Sequence, residues 1–125
     1  MAAHSPEGVH AAIEDAFNRG DLDAFVATFE EDATAIAPLD GKIVRGRNEI
    51  RSATAPIFAL KPDVRIKVVG KVQGDGLALT FARWALQGVD PEGNPVEQEG
   101  RGTIVSRRQP DGSWQIALEN PLSPA

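Results

Sequence analysis

Apolar residues recur at helical spacing in the first half of this chain and alternate in the second. Val9, Ile13, Ala16 and Phe17 share one face of a helix predicted over Pro6 to Arg19, with Ser5 as N-cap, Pro6 in the first helical position and Gly20 placed to end it left-handed. A second helix follows at once. Asp21 caps it, Asp23 favours the positive end of its dipole, and Leu22, Phe25, Val26 and Phe29 form its apolar stripe. The acidic run Glu30, Glu31, Asp32 falls at its C-terminal end, where negative charge is unfavourable, and marks the stop. Short strands are predicted at Thr34 to Ile36 and Lys42 to Val44, around Pro38-Leu39-Asp40-Gly41. A third helix is expected from Arg47 to about Leu60, with Ile50, Ala53 or Thr54, and Ile57 inward and Pro56 kinking or ending it.

The rest reads as strand: Arg65 to Val72, Leu77 to Val89, Val96 to Arg108 and Ser113 to Asn120, separated by Asp75-Gly76, the loop Asp90 to Pro95, and Pro110-Asp111-Gly112. The tail beyond Asn120 is expected to lie along the surface or fray. Helices first and antiparallel strands after make an α+β pattern: three N-terminal helices on a curved, mainly antiparallel sheet, in one domain over residues 1–125. Parity assigns Ala78, Thr80, Ala82, Trp84 and Leu86, with Gly100, Gly102, Ile104 and Ser106, to the concave side under the helices. Small residues there admit the helices, and Trp84 can lie across the glycines. Leu79, Phe81 and Val105 fall on the convex side, where Arg83 can pair with Glu99.

Composition narrows the function. The net charge is −5, from 13 basic and 18 acidic residues, which disfavours nucleic acid and anionic membranes as partners. The absence of cysteine excludes thiolate nucleophiles, disulfides and Cys-ligated zinc, and the absence of tyrosine excludes a phenol as proton donor. His4 and His10 lack the spacing of a helical metal pair; both are expected at the surface, His10 opposite the Ile13 and Phe17 face, and no metal site or cofactor is implied. Arg45 and Arg47 flank the start of the third helix, where they either hold an anion or lie solvated on a loop. With no leader-like N-terminus and no long apolar run, the protein is expected in the cytoplasm.

The segment GDLDAFVATFEEDAT (residues 20–34), then Gly41 and Gly46-Arg47-Asn48-Glu49-Ile50, then Gly74-Asp75 before a long strand, and the ending Asp111-Gly112-Ser113-Trp114-Gln115-Ile116 with Glu119-Asn120-Pro121, resemble the NTF2-like superfamily of cone-shaped domains. The chain is most similar to its SnoaL-like and DUF4440-type small members, and more distantly to ketosteroid isomerase. The resemblance spans nearly the whole chain and implies a pocket between sheet and helices and a homodimer through the convex sheet face. It chooses no activity, because this fold carries dehydratases, isomerases, hydrolases, cyclases and plain binding domains. Ketosteroid isomerases use a tyrosine on the first helix, an aspartate base before a proline in the first hairpin and an acid on a long strand. The matching positions here are Ile13, Ala37 and Ile104 (or Thr103), none of which can move a proton.

Pocket walls are accordingly expected from Ile13, Phe17, Phe29, Thr80, Trp84, Ile104 and Ser106, with Asn120 as the orienting polar group or, alternatively, a strand-end cap. Glu119 is the one carboxylate near the pocket mouth. In an ideal strand it points away, toward solvent or a salt bridge, and it becomes a candidate base only if the strand twists. Three readings remain open. The protein binds a small, largely hydrophobic molecule; or it is an isomerase, lyase or hydrolase using Glu119 or another carboxylate; or it is a structural dimer module.

Overall fold

A computed structural model describes residues 2–123. Helix α1 spans Pro6–Arg19; the Ser5 hydroxyl accepts from Gly8 N at 2.9 Å, and Gly20 closes the helix at φ 68°. Helix α2 is shorter than its apolar stripe suggests, Leu22–Ala27, with the Asp21 carboxylate accepting from Ala24 N at 2.9 Å. Phe29 to Asp32 belong not to that helix but to strand β1, Phe29–Ile36. Tertiary pairing overrides the local pattern here: Ile116 N donates to Thr28 O, and the Arg47 guanidinium donates to Phe29 O. Arg47 is thereby committed to the chain rather than to an anion. Phe29 stays fully buried, since the end of a helix and the start of a strand can aim it into the same core.

Strand β2, Ile43–Arg45, leads into α3, Gly46–Phe58. Pro56 sits in the last turn of α3, which ends two residues later. Four long strands follow: β3 Asp63–Gln73, β4 Leu77–Val89, β5 Pro95–Arg108 and β6 Trp114–Ser123. Part of the expected tail therefore continues β6, and the remainder lies outside the described residues.

The six strands form one sheet in the order β2-β1-β6-β5-β4-β3. Pairing is antiparallel except between β1 and β6, so three helices pack on a mixed, mainly antiparallel sheet. Bulges interrupt β3 against β4 and β6 against β5; each adds twist and curvature. Ala78, Thr80, Ala82 and Leu86 of β4 and Ile104 and Ser106 of β5 are buried under the helices, and the intervening residues turn outward. Arg83 stands opposite Arg101, not Glu99.

Helix α1 is fixed to edge strand β3 by polar side chains. Asn18 accepts from Val64 N (2.7 Å) and donates to Val64 O (2.9 Å), and Glu14, one turn earlier, accepts from Ile66 N (2.7 Å). These bonds occupy backbone groups of an otherwise open edge and hold α1 across the mouth of the curved sheet. No helix among the described residues is long and apolar enough to cross a membrane.

Candidate functional site

The curvature leaves a cavity of about 120 Å³ between the sheet and the helices. One wall is aromatic. Phe17 stacks on Phe58 with ring centroids 4.6 Å apart and meets Phe25 at 5.1 Å. Helix α3 contributes Ile50, Ala53, Thr54 and Ile57, and the β1–β2 hairpin contributes Ala37, Pro38 and Val44. The floor is the concave face, with Ala82, Trp84, Gly102 and Ile104.

Trp84 lies flat across the β5 glycines. A Cβ on Gly100 would stand 2.7 Å from its Cζ2, and one on Gly102 would stand 3.8 Å from its Cδ1. Its indole N–H donates to Pro121 O at 2.9 Å, which ties the floor to the end of β6.

Among the described residues, two ionisable side chains face this space, His10 from α1 and Glu119 from β6. Glu119 is flanked in the sheet by Ile104 and Ala35. Its carboxyl makes no hydrogen bond to any described residue, and burial in these apolar surroundings pushes it up to about 7. The residue keeps some accessible surface, as expected for a carboxyl that faces a void rather than packed atoms. His10 is buried, with Nε2 2.7 Å from the Thr80 hydroxyl, which in turn donates to Ile104 O at 3.3 Å. That chain gives Nε2 the proton and leaves Nδ1 bare. Burial holds the imidazole down at about 4, with Glu7 opposing the shift, so the ring is neutral at physiological pH. No Lys or Arg lines the cavity among the described residues, and none of their His, Asp and Glu form a metal-binding group.

The SnoaL-like domain profile matches residues 9–116. The chain belongs to the SnoaL-like domain family. Solved structures similar to this SnoaL-like domain include a ketosteroid isomerase-like protein from Erwinia carotovora atroseptica SCRI1043, with 22% identity over 94% of each chain and a TM-score of 0.79. An NTF-2 like protein of unknown function from Shewanella oneidensis MR-1 aligns at 21% identity over 92% of this chain and 93% of that one, with a TM-score of 0.74. A conserved protein from Planctomyces limnophilus DSM 3776 aligns at 15% identity over 93% and 91%, with a TM-score of 0.80. These likenesses show the cone-shaped NTF2-like fold. No curated protein matches the sequence.

Of the residues expected at the pocket of this SnoaL-like domain, Ile13, Phe17, Trp84 and Ile104 line the cavity. Phe29, Thr80 and Ser106 are fully buried and do not line it. Phe29 packs against Phe25 at 5.2 Å, Thr80 is bound by His10, and Ser106 Oγ has no hydrogen-bond partner. Asn120 does not line the cavity, and its side chain accepts from Leu122 N at 3.0 Å within β6, not at its end.

The exchange of Asn120 for Glu119 has one cause. Ser106 pairs with Ile116 while Val105 pairs with Leu118, so Ala117 is an extra residue in β6. Past that bulge the inward parity passes from even to odd numbers, and Glu119 turns into the cavity opposite Ile104. His10 is also corrected from surface to interior. It precedes Ile13 by three and Phe17 by seven residues, which places all three on one helical face. The spacing alone carried that signal. Ile13, Ala37 and Ile104 all line the cavity, and none is ionisable.

Proposed function

We propose that this SnoaL-like domain binds a small, largely hydrophobic molecule in the cavity, held by the apolar walls and oriented by Glu119. The observation that carries this reading is a lone carboxyl, without a hydrogen-bond partner among the described residues, facing a mainly apolar void. A buried polar group costs free energy unless its hydrogen bonds are made, and a ligand can make them. A cavity of about 150 Å³ accepts benzene, so about 120 Å³ suits a single ring better than a fused system. The test is an NMR or calorimetric titration with toluene, repeated on Ala82→Leu, which fills the floor. Binding to the wild type and loss in the variant support the proposal; equal behaviour of the two counts against it.

A second reading is an isomerase, lyase or hydrolase in which Glu119 moves the proton. What favours it is a carboxyl held at about 7, close to the pH at which a group can both accept and donate. Turnover lost in Glu119→Gln with ligand binding retained would separate catalysis from plain binding.

We also propose a homodimer through the convex face. Val72, Leu79, Val105 and Leu118 stand in register across four strands, with Val72 64% and Leu118 51% exposed. Phe81 adds to the patch and lies beside Gly70. The like-charged Arg83 and Arg101 face each other on this surface near Glu97 and Glu99. A second copy packed by two-fold symmetry brings acids to those arginines and covers the apolar row.

A further inference from the structure

The charge inventory of the cavity is one-sided. Around Glu119, β5 presents Ile104 and Gln98, β1 presents Ala35 and Ile36, the hairpin after it presents Ala37, and β4 presents Ala82, Trp84 and Leu86. Helix α3 offers apolar side chains and the Thr54 hydroxyl, and α1 offers His10. Nothing in that set is a cation at neutral pH. The imidazole is the only other titratable group facing the space among the described residues, and its Nε2 is held by Thr80.

Each class of ligand meets this arrangement differently. An anion finds a like charge and no counter-ion. A neutral molecule leaves the carboxylate unpaired or requires it to keep its proton. A protonated amine supplies the missing charge. Its N–H groups donate to Glu119 in a charge-assisted hydrogen bond, which is stronger than a neutral one. The aromatic walls, Phe17, Phe25 and Trp84, suit a cation and the hydrocarbon body attached to it.

We infer that the natural ligand class of this cavity is a single-ring lipophilic amine, bound as its ammonium with the nitrogen at Glu119 and the ring against the aromatic wall. This inference rests on the cavity-binding proposal above and narrows it. Ligand and carboxyl are linked through one proton. Binding the ammonium favours ionised Glu119, so affinity rises with pH through about 7 while the amine itself stays protonated.

The experiment is calorimetry with four probes of one shape: benzylamine, benzyl alcohol, benzoate and toluene, at about pH 8 and about pH 5.5. The expected result at the higher pH is benzylamine binding about tenfold or more tightly than benzyl alcohol, with benzoate weakest. At the lower pH that preference shrinks about tenfold as Glu119 takes up its proton. Glu119→Gln should abolish the preference and its pH dependence. If that variant fails to fold, the pH series on the unaltered protein decides. Toluene and benzyl alcohol binding as tightly as benzylamine, or benzylamine weakening as pH rises, overturns the amine assignment and leaves the cavity-binding proposal standing. Failure of all four, toluene included, overturns both.

Discussion

Between about pH 4.5 and 6.5 two groups facing one cavity pull the stability of this fold in opposite directions. Glu119 is held at about 7 against an ordinary 4.5, so the folded state keeps a proton that the unfolded chain has released. Its contribution is complete below 4.5 and is lost as pH rises to about 7. His10 is held at about 4 against 6.5, so the folded state refuses a proton that the unfolded chain accepts. Its contribution is complete above 6.5 and is lost as pH falls to about 4. One proton of difference changes stability by about 1.4 kcal/mol per pH unit. Across the shared window the two slopes cancel, and the unaltered protein should vary by less than about 1 kcal/mol from these groups. Each substitution exposes the other slope. Glu119→Gln should gain about 2 kcal/mol from pH 4.5 to 6.5, and His10→Gln, which keeps a donor for Thr80, should lose about 2 kcal/mol over the same range. The assay is urea unfolding at fixed protein concentration, followed by fluorescence of Trp84 and Trp114 and by circular dichroism. A steep wild-type profile that both variants preserve, or flat profiles in all three, would refute the reasoning.

Four other outcomes follow from the packing and from the convex face. Gly100→Val places a side chain where Trp84 lies and should cost about 1–3 kcal/mol in urea unfolding, with a shifted tryptophan emission. Ser106→Ala removes a buried hydroxyl without a partner and should be neutral or stabilising by up to about 1 kcal/mol, whereas Thr80→Val strands His10 Nε2 and should cost about 1–3 kcal/mol. Leu118→Glu on the convex face should convert the proposed dimer to monomers in sedimentation velocity with the circular dichroism spectrum unchanged; a variant that sediments like the wild type removes that interface.

Much of this architecture is legible in local rules. The caps at Ser5 and Asp21, the left-handed stop at Gly20 and the alternation along β4 and β5 are written in neighbouring residues, and the structure follows them. The Trp84–glycine contact is readable for the same reason, because same-face neighbours on paired strands are fixed by parity. What escaped depends on partners distant in sequence. Phe29 extends a helical stripe and Glu30 to Asp32 read as its acidic stop, yet the parallel neighbour β6 draws them into a strand. His10 was within reach of helical geometry, but a polar residue among apolar ones does not announce burial until Thr80, 70 residues away, supplies its bond. The Glu119 position depends on one unpaired residue in β6, and no alternation pattern contains that information.

That extra residue also has meaning for how such domains diversify. Deleting Ala117 would only heal the bulge, because Leu118 would then follow Ile116 and Glu119 would still face inward opposite Ile104; one residue gained after Leu118 would instead turn Glu119 outward and bring Asn120 inward, replacing an acid with an amide while the helices, the floor and the aromatic wall stay as they are. The container and its reactive content are therefore separately heritable. A single codon gained past that bulge can recast what the interior recognises, without renegotiating the scaffold that surrounds it.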